Sequence, residues 1–161
     1  MLEHDLDCVI VRLFNTVGPR QSGQYGMVVP TFVQRALAGT PIEIHGDGDQ
    51  TRCFCHVADT IRGLAGLMDL GASGEIYNIG SEERISINGL ASRVQELTSS
   101  SSEIEYVAYD DVYGIGIEDM LHRIPSTAKI RAATGWAPER TLDDILGDVL
   151  AFERSRVQAA A

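Results

Sequence analysis

Short apolar runs alternate with segments of helical periodicity, and this alternation constrains the fold more than any other feature of the chain. The runs at 8–14 (CVIVRLF) and 75–80 (EIYNIG) predict strands, and the alternating run EIEYVAY predicts a half-exposed strand. Segments with apolar residues three and four positions apart separate these runs. Strands that alternate with helices are typical of the α/β class, so we predict an α/β domain with some parallel strand pairing.

Helix-start signals accompany the periodic segments. Asp59 and Ser86 are placed to cap the helices that follow them, and Thr141 and Asp144 have the spacing of a capping box. Each predicted helix then has one apolar stripe, which we expect to face the core. In chain order these stripes are Phe32, Val33, Ala36 and Leu37; Ile61, Leu64, Ala65 and Met68; Ile87, Leu90, Ala91, Val94 and Leu97; and Leu142, Ile145, Leu146, Val149 and Phe152.

The first predicted strand begins only a few residues into the chain. Residues 8–14 contain a single charged side chain and therefore predict a fully buried strand. Buried parallel strands normally have a partner on each side. We therefore expect the chain to be the later part of a longer protein.

The charge balance excludes some classes of partner. The chain has 161 residues, with 13 basic and 23 acidic side chains and a formal net charge of −10. Binding to nucleic acid or to an anionic membrane requires a positive field, so we expect neither. No run approaches the roughly 20 apolar residues of a membrane span. Three cysteines cannot all pair, which indicates reduced thiols and a cytoplasmic location.

Three polar residues are candidates for binding an anion. Arg52 follows a turn in which Gly46 and Gly48 let the backbone bend tightly, and at the end of a strand its planar guanidinium would match two phosphate oxygens. Asn15 directly follows the first predicted strand, and Arg123 lies in a stretch without apolar periodicity. Each also has a structural interpretation: Asn15 as a turn residue, and either arginine as a solvated surface charge.

Two signatures are not found in the sequence, a dinucleotide-binding fingerprint and an acid/base tyrosine with a lysine to lower its pKa. It contains no G-x-G-x-x-G, and no tyrosine is followed four residues later by lysine. Cys53, Cys55 and His56 do not predict a zinc site, because on a strand residues 53 and 55 share one face while 56 points to the other. We expect buried thiols there and no metal.

Four ordered blocks of the sequence resemble the C-terminal half of the NAD-dependent nucleotide-sugar epimerase/dehydratase family, the extended short-chain dehydrogenases. They are VRLFNTVGPRQ, GMVVPTFVQRALAGTPIEIHGDGDQTRCFCHVADTIRGLAGLM, YNIGSEERISINGLASRV and EDMLHRIPSTAKIRAATGWAP. The resemblance implies a single C-terminal substrate-binding region over 1–161. Within it, 8–14 would be a late strand of a Rossmann-type sheet and 27–161 mostly the small α/β substrate-binding lobe. The NAD-binding half would lie upstream of Met1.

The resemblance also implies roles for individual residues. Asn15 and Arg52 would hold the diphosphate of a nucleotide sugar, and Arg123 would contact phosphate or sugar. Val29 would pack near the nucleotide, and the base edge would be contacted largely through backbone groups of 42–45. The implied substrate-binding residues are Asn15, Val29, Glu43, Ile44, His45, Arg52 and Arg123, and the implied NAD contacts, near the nicotinamide, are Leu13 and Phe14.

Two positions depart from the family pattern. His45 stands where tyrosine or phenylalanine is usual, so packing against the base would differ. Ser126 stands where aspartate usually follows R-x-P, and a serine there can also cap the next helix.

The function implied by the resemblance is the nucleotide-diphosphate-sugar-binding portion of an NAD-dependent enzyme that resembles UDP-glucose 4-epimerase. The alternatives are a UDP-glucuronate decarboxylase, a dTDP-glucose 4,6-dehydratase, a non-catalytic nucleotide-sugar-binding module, and a structural domain without a ligand. Without the tyrosine–lysine pair, we expect the chain alone to have no turnover and not to hold NAD. An exposed strand edge and apolar surface would favour a homodimer or aggregation.

Overall fold

Helices and strands alternate in the structure, and the predicted α/β class is confirmed. The computed structural model describes residues 7–23, 27–114 and 120–160. Of the four sequence blocks that carry the family resemblance, the second begins at residue 26 and the fourth at residue 118, so residues 26, 118 and 119 lie outside the described part. In chain order the elements are β1 (Ile10–Leu13), β2 (Thr16–Val17), α1 (Val28–Ala38), β3 (Ile42–His45), β4 (Thr51–Cys53), β5 (Cys55–His56), α2 (Val57–Leu70), β6 (Ile76–Ile79), β7 (Arg84–Ser86), α3 (Ile87–Thr98), β8 (Ile104–Val107), α4 (Tyr109–Tyr113), β9 (His122–Arg123), α5 (Ala128–Thr134) and α6 (Leu142–Ala160).

The described strands form four small sheets. Three are parallel pairs: β1 with β6, β2 with β5, and β3 with β8. In the fourth, β4 lies between β7, to which it is antiparallel, and β9, to which it is parallel. The predicted parallel pairing is confirmed, and β4 is the central strand of the only mixed sheet among the described residues.

Helices α1, α3 and α6 pack with β3 around the larger apolar cluster, which we call the lobe core. The predicted stripes of these three helices supply most of it. Its buried members are Val17, Val29, Phe32, Val33, Ala36, Ile42, Ile44, Phe54, Ile87, Leu90, Ala91, Val94, Leu142, Ile145, Leu146, Val149 and Leu150.

Two of the predicted caps are present. The Ser86 hydroxyl accepts from the amide of Gly89 at 3.0 Å at the start of α3. The Thr141 amide donates to Asp144 at 2.8 Å and the Asp144 amide donates back to the Thr141 hydroxyl at 3.2 Å, which completes the capping box of α6.

Strands β1 and β6 pack with helices α2 and α5 around a smaller cluster, which we call the strand-pair unit. Its buried residues are Cys55, Leu67, Tyr77, Ile79, Ile130 and Trp136. The prediction that 8–14 is fully buried is wrong, because Ile10 is 51% and Leu13 52% exposed. Strand β1 has only β6 as a neighbour among the described strands, so its other edge is not covered there.

The predicted start and stripe of helix α2 are also wrong. The helix begins earlier than Asp59, and the His56 ring caps it by accepting from the amide of Ala58 at 3.0 Å. The predicted stripe is largely exposed, with Ile61 at 60% and Met68 at 88%. The buried positions of α2 are instead Asp59, Thr60, Gly63 and Leu67.

Ser126 does not cap the helix after R-x-P. Helix α5 begins after Thr127, whose amide and hydroxyl donate to the Glu82 carboxylate at 2.9 and 2.7 Å. The Glu82 side chain, from another segment, therefore accepts from the backbone amide of the N-cap residue. Among the described helices, none is both long and apolar enough to cross a membrane.

Candidate functional site

A cavity of about 780 Å³ opens between the end of β1, one face of α1, and strands β3, β4 and β9. Seven of the nine residues named from the sequence line it. They are Leu13, Asn15, Val29, Glu43, His45, Arg52 and Arg123.

Arg52 and Arg123 enter the cavity from neighbouring strands. They are register partners in the parallel pair β4–β9, so their backbones lie about 4.8 Å apart. An Arg123 guanidinium nitrogen, Nη2, donates to the Asn15 side-chain oxygen. The Asn15 side-chain nitrogen in turn donates to the carbonyl of Cys53 at 2.7 Å. The structure therefore brings together three residues that are far apart in the sequence, and Asn15 orients one of the two guanidinium groups.

Backbone carbonyls position the Arg52 guanidinium. Its Nη1 donates to the carbonyls of Thr51 and Met120, both at 2.8 Å. The sequence predicts Arg52 at a strand end, but Arg52 occupies the middle of β4 because pairing with β7 and β9 extends that strand. In Arg123, the Nε atom is buried and has no hydrogen-bond partner among the described residues. Leaving such a donor unpaired costs about 1–3 kcal/mol, so an acceptor atom placed there by a ligand would be stabilised.

The glycines before Arg52 do bend the backbone, since Gly46 and Gly48 have φ values of 78° and 77°. The close approach at Gly48 is to the protein, because a Cβ there would overlap the side chain of Asn88. The side-chain Nδ2 of Asn88 donates to the carbonyl of Asp47 at 3.0 Å, and the backbone amide of Asn88 donates to the carbonyl of Gly48 at 3.0 Å. The turn is thus fixed by the start of α3.

Two residues named from the sequence do not line the cavity. Ile44 is fully buried in the lobe core, because alternation along β3 sends Ile42 and Ile44 inward and leaves Glu43 and His45 toward the cavity. Phe14 instead packs against Gly80, where an added Cβ atom would lie only 2.8 Å from the Phe14 Cβ. Of the two implied NAD contacts, only Leu13 lies at the cavity.

Sequence reasoning missed Arg35, which lines the cavity from the last turn of α1. Its Nη1 lies 2.8 Å from Glu43 Oε1 and donates to the carbonyl of Pro41 at 2.8 Å. A signal was available, because Val28, Thr31 and Arg35 follow the three- and four-residue spacing of a single helix face.

The charge of the cavity wall differs from that of the whole chain. Among the residues that the structure describes, the lining includes three arginines and one carboxylate, although the formal net charge of the chain is −10. Surface charges more than about 8–10 Å from a ligand in the cavity are largely screened at physiological salt. The wall can therefore attract an anion in spite of the acidic surface.

Nearby thiols are not suited to nucleophilic catalysis. Cys53 and Cys55 are each 1% exposed, which confirms the predicted burial. Burial raises the pKa of both thiols, so the reactive thiolate is disfavoured at neutral pH.

Residues 1–80 match the NAD dependent epimerase/dehydratase family. Among curated proteins, the chain is 38% identical over 150 residues to a UDP-N-acetyl-alpha-D-glucosaminuronate decarboxylase of Bacillus cytotoxicus, covering 92% of this chain and 47% of that protein. The chain spans less than half of the length of the curated relatives it matches.

Solved structures with the same fold include two enzymes of nucleotide-sugar metabolism. A UDP-glucose 4-epimerase of Thermotoga maritima, solved with UDP-glucose, superposes with a TM-score of 0.86 at 29% identity over 96% of this chain and 48% of that one. A dTDP-glucose 4,6-dehydratase of Streptomyces venezuelae, solved with NAD, superposes with a TM-score of 0.85 at 26% identity over 98% of this chain and 47% of that one. The implied late Rossmann-type sheet is therefore shared with these structures.

Proposed function

The chain belongs to the NAD-dependent epimerase/dehydratase family, and on that premise we propose that its cavity binds the diphosphate of a nucleotide sugar. One observation supports this most directly: Asn15, Arg52 and Arg123 meet at one wall of the cavity. A guanidinium presents paired N–H donors that match phosphate oxygens. The buried Nε of Arg123 would gain an acceptor when a phosphate binds.

We further propose a UDP-sugar as the ligand. The Thermotoga maritima epimerase was solved with UDP-glucose, and the Bacillus cytotoxicus relative is named for a UDP-sugar. For the whole protein we propose 4-epimerisation of a UDP-sugar, the reaction for which the Thermotoga maritima structural neighbour is named. A second candidate is decarboxylation of a UDP-sugar acid, which is favoured by the 38% identity to the decarboxylase.

NAD would supply the redox chemistry when bound. In this chain the exposed apolar side chain of Leu13 fits a contact with the cofactor, whereas Phe14 does not reach the cavity. The sequence holds neither the glycine fingerprint nor Tyr-x-x-x-Lys. We therefore propose that this chain positions the substrate and has no turnover alone. The division into a strand at 8–14 and a lobe at 27–161, the cytoplasmic location and the homodimer stay predictions.

Titration calorimetry with UDP tests the binding proposal. Arg52→Ala and Arg123→Ala should each weaken UDP binding about 10- to 100-fold, because a charge-assisted hydrogen bond contributes roughly 1.5–3 kcal/mol. Arg84→Ala is the matched control, since Arg84 is exposed on β7 of the same sheet and does not line the cavity. No UDP or dTDP binding at millimolar concentration, or equal losses in all three variants, would overturn the proposal.

A further inference from the structure

The short strand β9 carries Arg123 and lies at the edge of its sheet. Among the described strands β9 pairs with β4 alone, where Thr51 lies opposite His122 and Arg52 lies opposite Arg123. Because side chains alternate along a strand, the two arginines share one face of this pair, and Thr51 and His122 share the other. The arginines line the cavity, whereas Thr51 and His122 do not.

A side-chain hydrogen bond joins β4 to β9 on the face away from the cavity. The Thr51 hydroxyl and the His122 ring nitrogen Nδ1 lie 2.8 Å apart. A hydroxyl can donate or accept, so it fits either neutral tautomer of the ring. The Thr51 amide also donates to the carbonyl of Leu121 at 2.8 Å. Thr51 therefore holds β9 and the residue before it through both its backbone and its side chain.

Apolar burial contributes little to the attachment of the chain that leads into β9. Met120 and Leu121 are 57% and 65% exposed, so most of their apolar surface stays in contact with water. On the other side of β9, Pro125 is buried and packs against Gly80. The backbone of Arg123 is thus fixed by apolar packing on its downstream side and by hydrogen bonds to β4 on its upstream side.

The position of that backbone determines what the Arg123 guanidinium can bind. Its Nη2 donates to the Asn15 side-chain oxygen, and its buried Nε has no hydrogen-bond partner among the described residues. A planar guanidinium binds phosphate oxygens through donors of fixed geometry, so a shift of its backbone weakens several contacts at once. A lysine ammonium, in contrast, is a single charge on a flexible chain and can follow a displaced ligand.

We propose that the Thr51–His122 hydrogen bond positions Arg123 and thereby sets the affinity of the cavity for a diphosphate. The inference rests on the proposed binding of the diphosphate at Asn15, Arg52 and Arg123. Thr51 and His122 are positioning residues, because they act from the face of the sheet that does not line the cavity. Replacing either one should weaken binding although no group of the cavity wall is removed.

Calorimetry on the whole chain with UDP and with inorganic pyrophosphate tests this role. Thr51→Val removes the hydroxyl at nearly constant volume, His122→Phe removes the ring nitrogens, and a double variant combines the two changes. Thr51→Ser keeps the hydroxyl and is the rescue variant. The control is Thr98→Val, because Thr98 is also half-buried, donates from its hydroxyl to the carbonyl of Val94 at 2.7 Å, and does not line the cavity.

Thr51→Val and His122→Phe should each weaken the binding of both ligands about three- to tenfold, the factor that one neutral hydrogen bond provides. The double variant should lose no more than the larger single loss, because both changes break the same bond. Thr51→Ser and Thr98→Val should stay within about twofold of wild type. On an Arg123→Lys background, adding Thr51→Val should weaken binding by less than about twofold, because the flexible ammonium depends less on its backbone position.

Unchanged affinity in Thr51→Val and His122→Phe would overturn this inference while leaving the proposed function intact. A loss in Thr51→Ser as large as in Thr51→Val would also overturn it, since the hydroxyl would then not be the cause. A full loss from Thr51→Val on the Arg123→Lys background would show that Thr51 does not act through Arg123, with the same consequence. Wild-type protein that bound neither UDP nor pyrophosphate would overturn the proposed function and this inference together. Thermal unfolding of each variant verifies that the fold is kept.

Discussion

The lobe core and the strand-pair unit hold their helices by different interactions. In the lobe core, α1, α3 and α6 meet through aliphatic side chains such as Leu90 and Ile145, both 0% exposed. In the strand-pair unit, α2 is attached through Asp59. The Asp59 carboxylate accepts from the amides of Glu139 and Arg140 at 3.1 and 3.0 Å, and the Trp136 indole donates to the Asp59 carbonyl at 2.9 Å.

This difference shows what helical periodicity can and cannot establish. In the lobe core the predicted apolar stripes are the buried faces. In α2 the same spacing marks an exposed face, because the polar attachment at Asp59 and the close contact of Gly63 with the Trp136 ring turn another face inward. Apolar spacing identifies an apolar face, but it does not establish that the same chain covers it.

The largest expected effect is the loss of an aliphatic side chain from the lobe core. Ile145→Ala should lower the free energy of unfolding by about 2–5 kcal/mol, because it removes buried methyl groups and leaves a cavity. Ile61→Ala, on the exposed face of α2, should change it by no more than about 0.5 kcal/mol. Urea denaturation measures both, and equal effects would contradict the distinction between the two regions.

The polar attachment of α2 gives the next largest effect. Asp59 is 1% exposed, and Asp59→Asn should cost about 2–3 kcal/mol at pH 7, because the amides and Arg62 lose an ionised acceptor. Asp69→Asn, an exposed position near the end of the same helix, is the control and should stay within about 0.5 kcal/mol.

The effect of Asp59 should depend on pH. Burial alone would raise the pKa of Asp59, but hydrogen bonds from Arg140, Arg62 and Glu139 outweigh it and hold that pKa below the usual value. The stabilisation is therefore fully present above the unfolded-state pKa of about 3.9 and is lost as pH falls through the folded-state value. The difference in stability between wild type and Asp59→Asn should shrink from pH 6 to pH 2 in urea titrations. A constant difference would mean that Asp59 acts through packing alone.

The turn that contains Gly46 and Gly48 is held to helix α3 by Asn88, and substitutions at the two glycines test how much this contact contributes to stability. Gly48→Ala should cost about 2 kcal/mol or more, because a left-handed alanine is strained by about 1–2 kcal/mol and its Cβ would displace Asn88. Gly46→Ala has the same backbone strain, but its nearest neighbour would be Tyr109 at 3.9 Å, so it isolates the strain alone. Equal losses in the two variants would show that the contact with Asn88 contributes nothing.

The sequence could predict the elements that carry strong local signals. The α/β class, the stripes of α1, α3 and α6, and two caps followed from periodicity and capping residues. The short strands β7 and β9 could not be predicted, because two or three residues carry no period and form only by pairing with β4. The exposure of β1 could not be predicted either, since the burial of a strand depends on which other elements pack against it in space.

The candidate site shows the same limit. Asn15, Arg52 and Arg123 were named from motifs, and the structure places them together, although their proposed roles stay predictions. Strand alternation by itself distinguishes Ile44 from Glu43, because it places successive side chains on opposite faces of β3. The contact of Arg35 with Glu43 depends on how α1 packs against β3, which no local pattern specifies.

The smallest expected effect on stability, on the exposed face of α2, separates folding from association. Met68→Lys should change the free energy of unfolding by no more than about 0.5 kcal/mol, because Met68 is 88% exposed. The same change should weaken the self-association predicted from the sequence, since a charge within an exposed apolar face raises the cost of covering it. Val157→Lys is the control, a 61% exposed apolar residue on α6 of the lobe. Sedimentation velocity over a range of concentrations measures association. If both variants reduced association equally, the change in net charge would be the cause. The exposed apolar face of α2 would then not be the surface through which the chains associate.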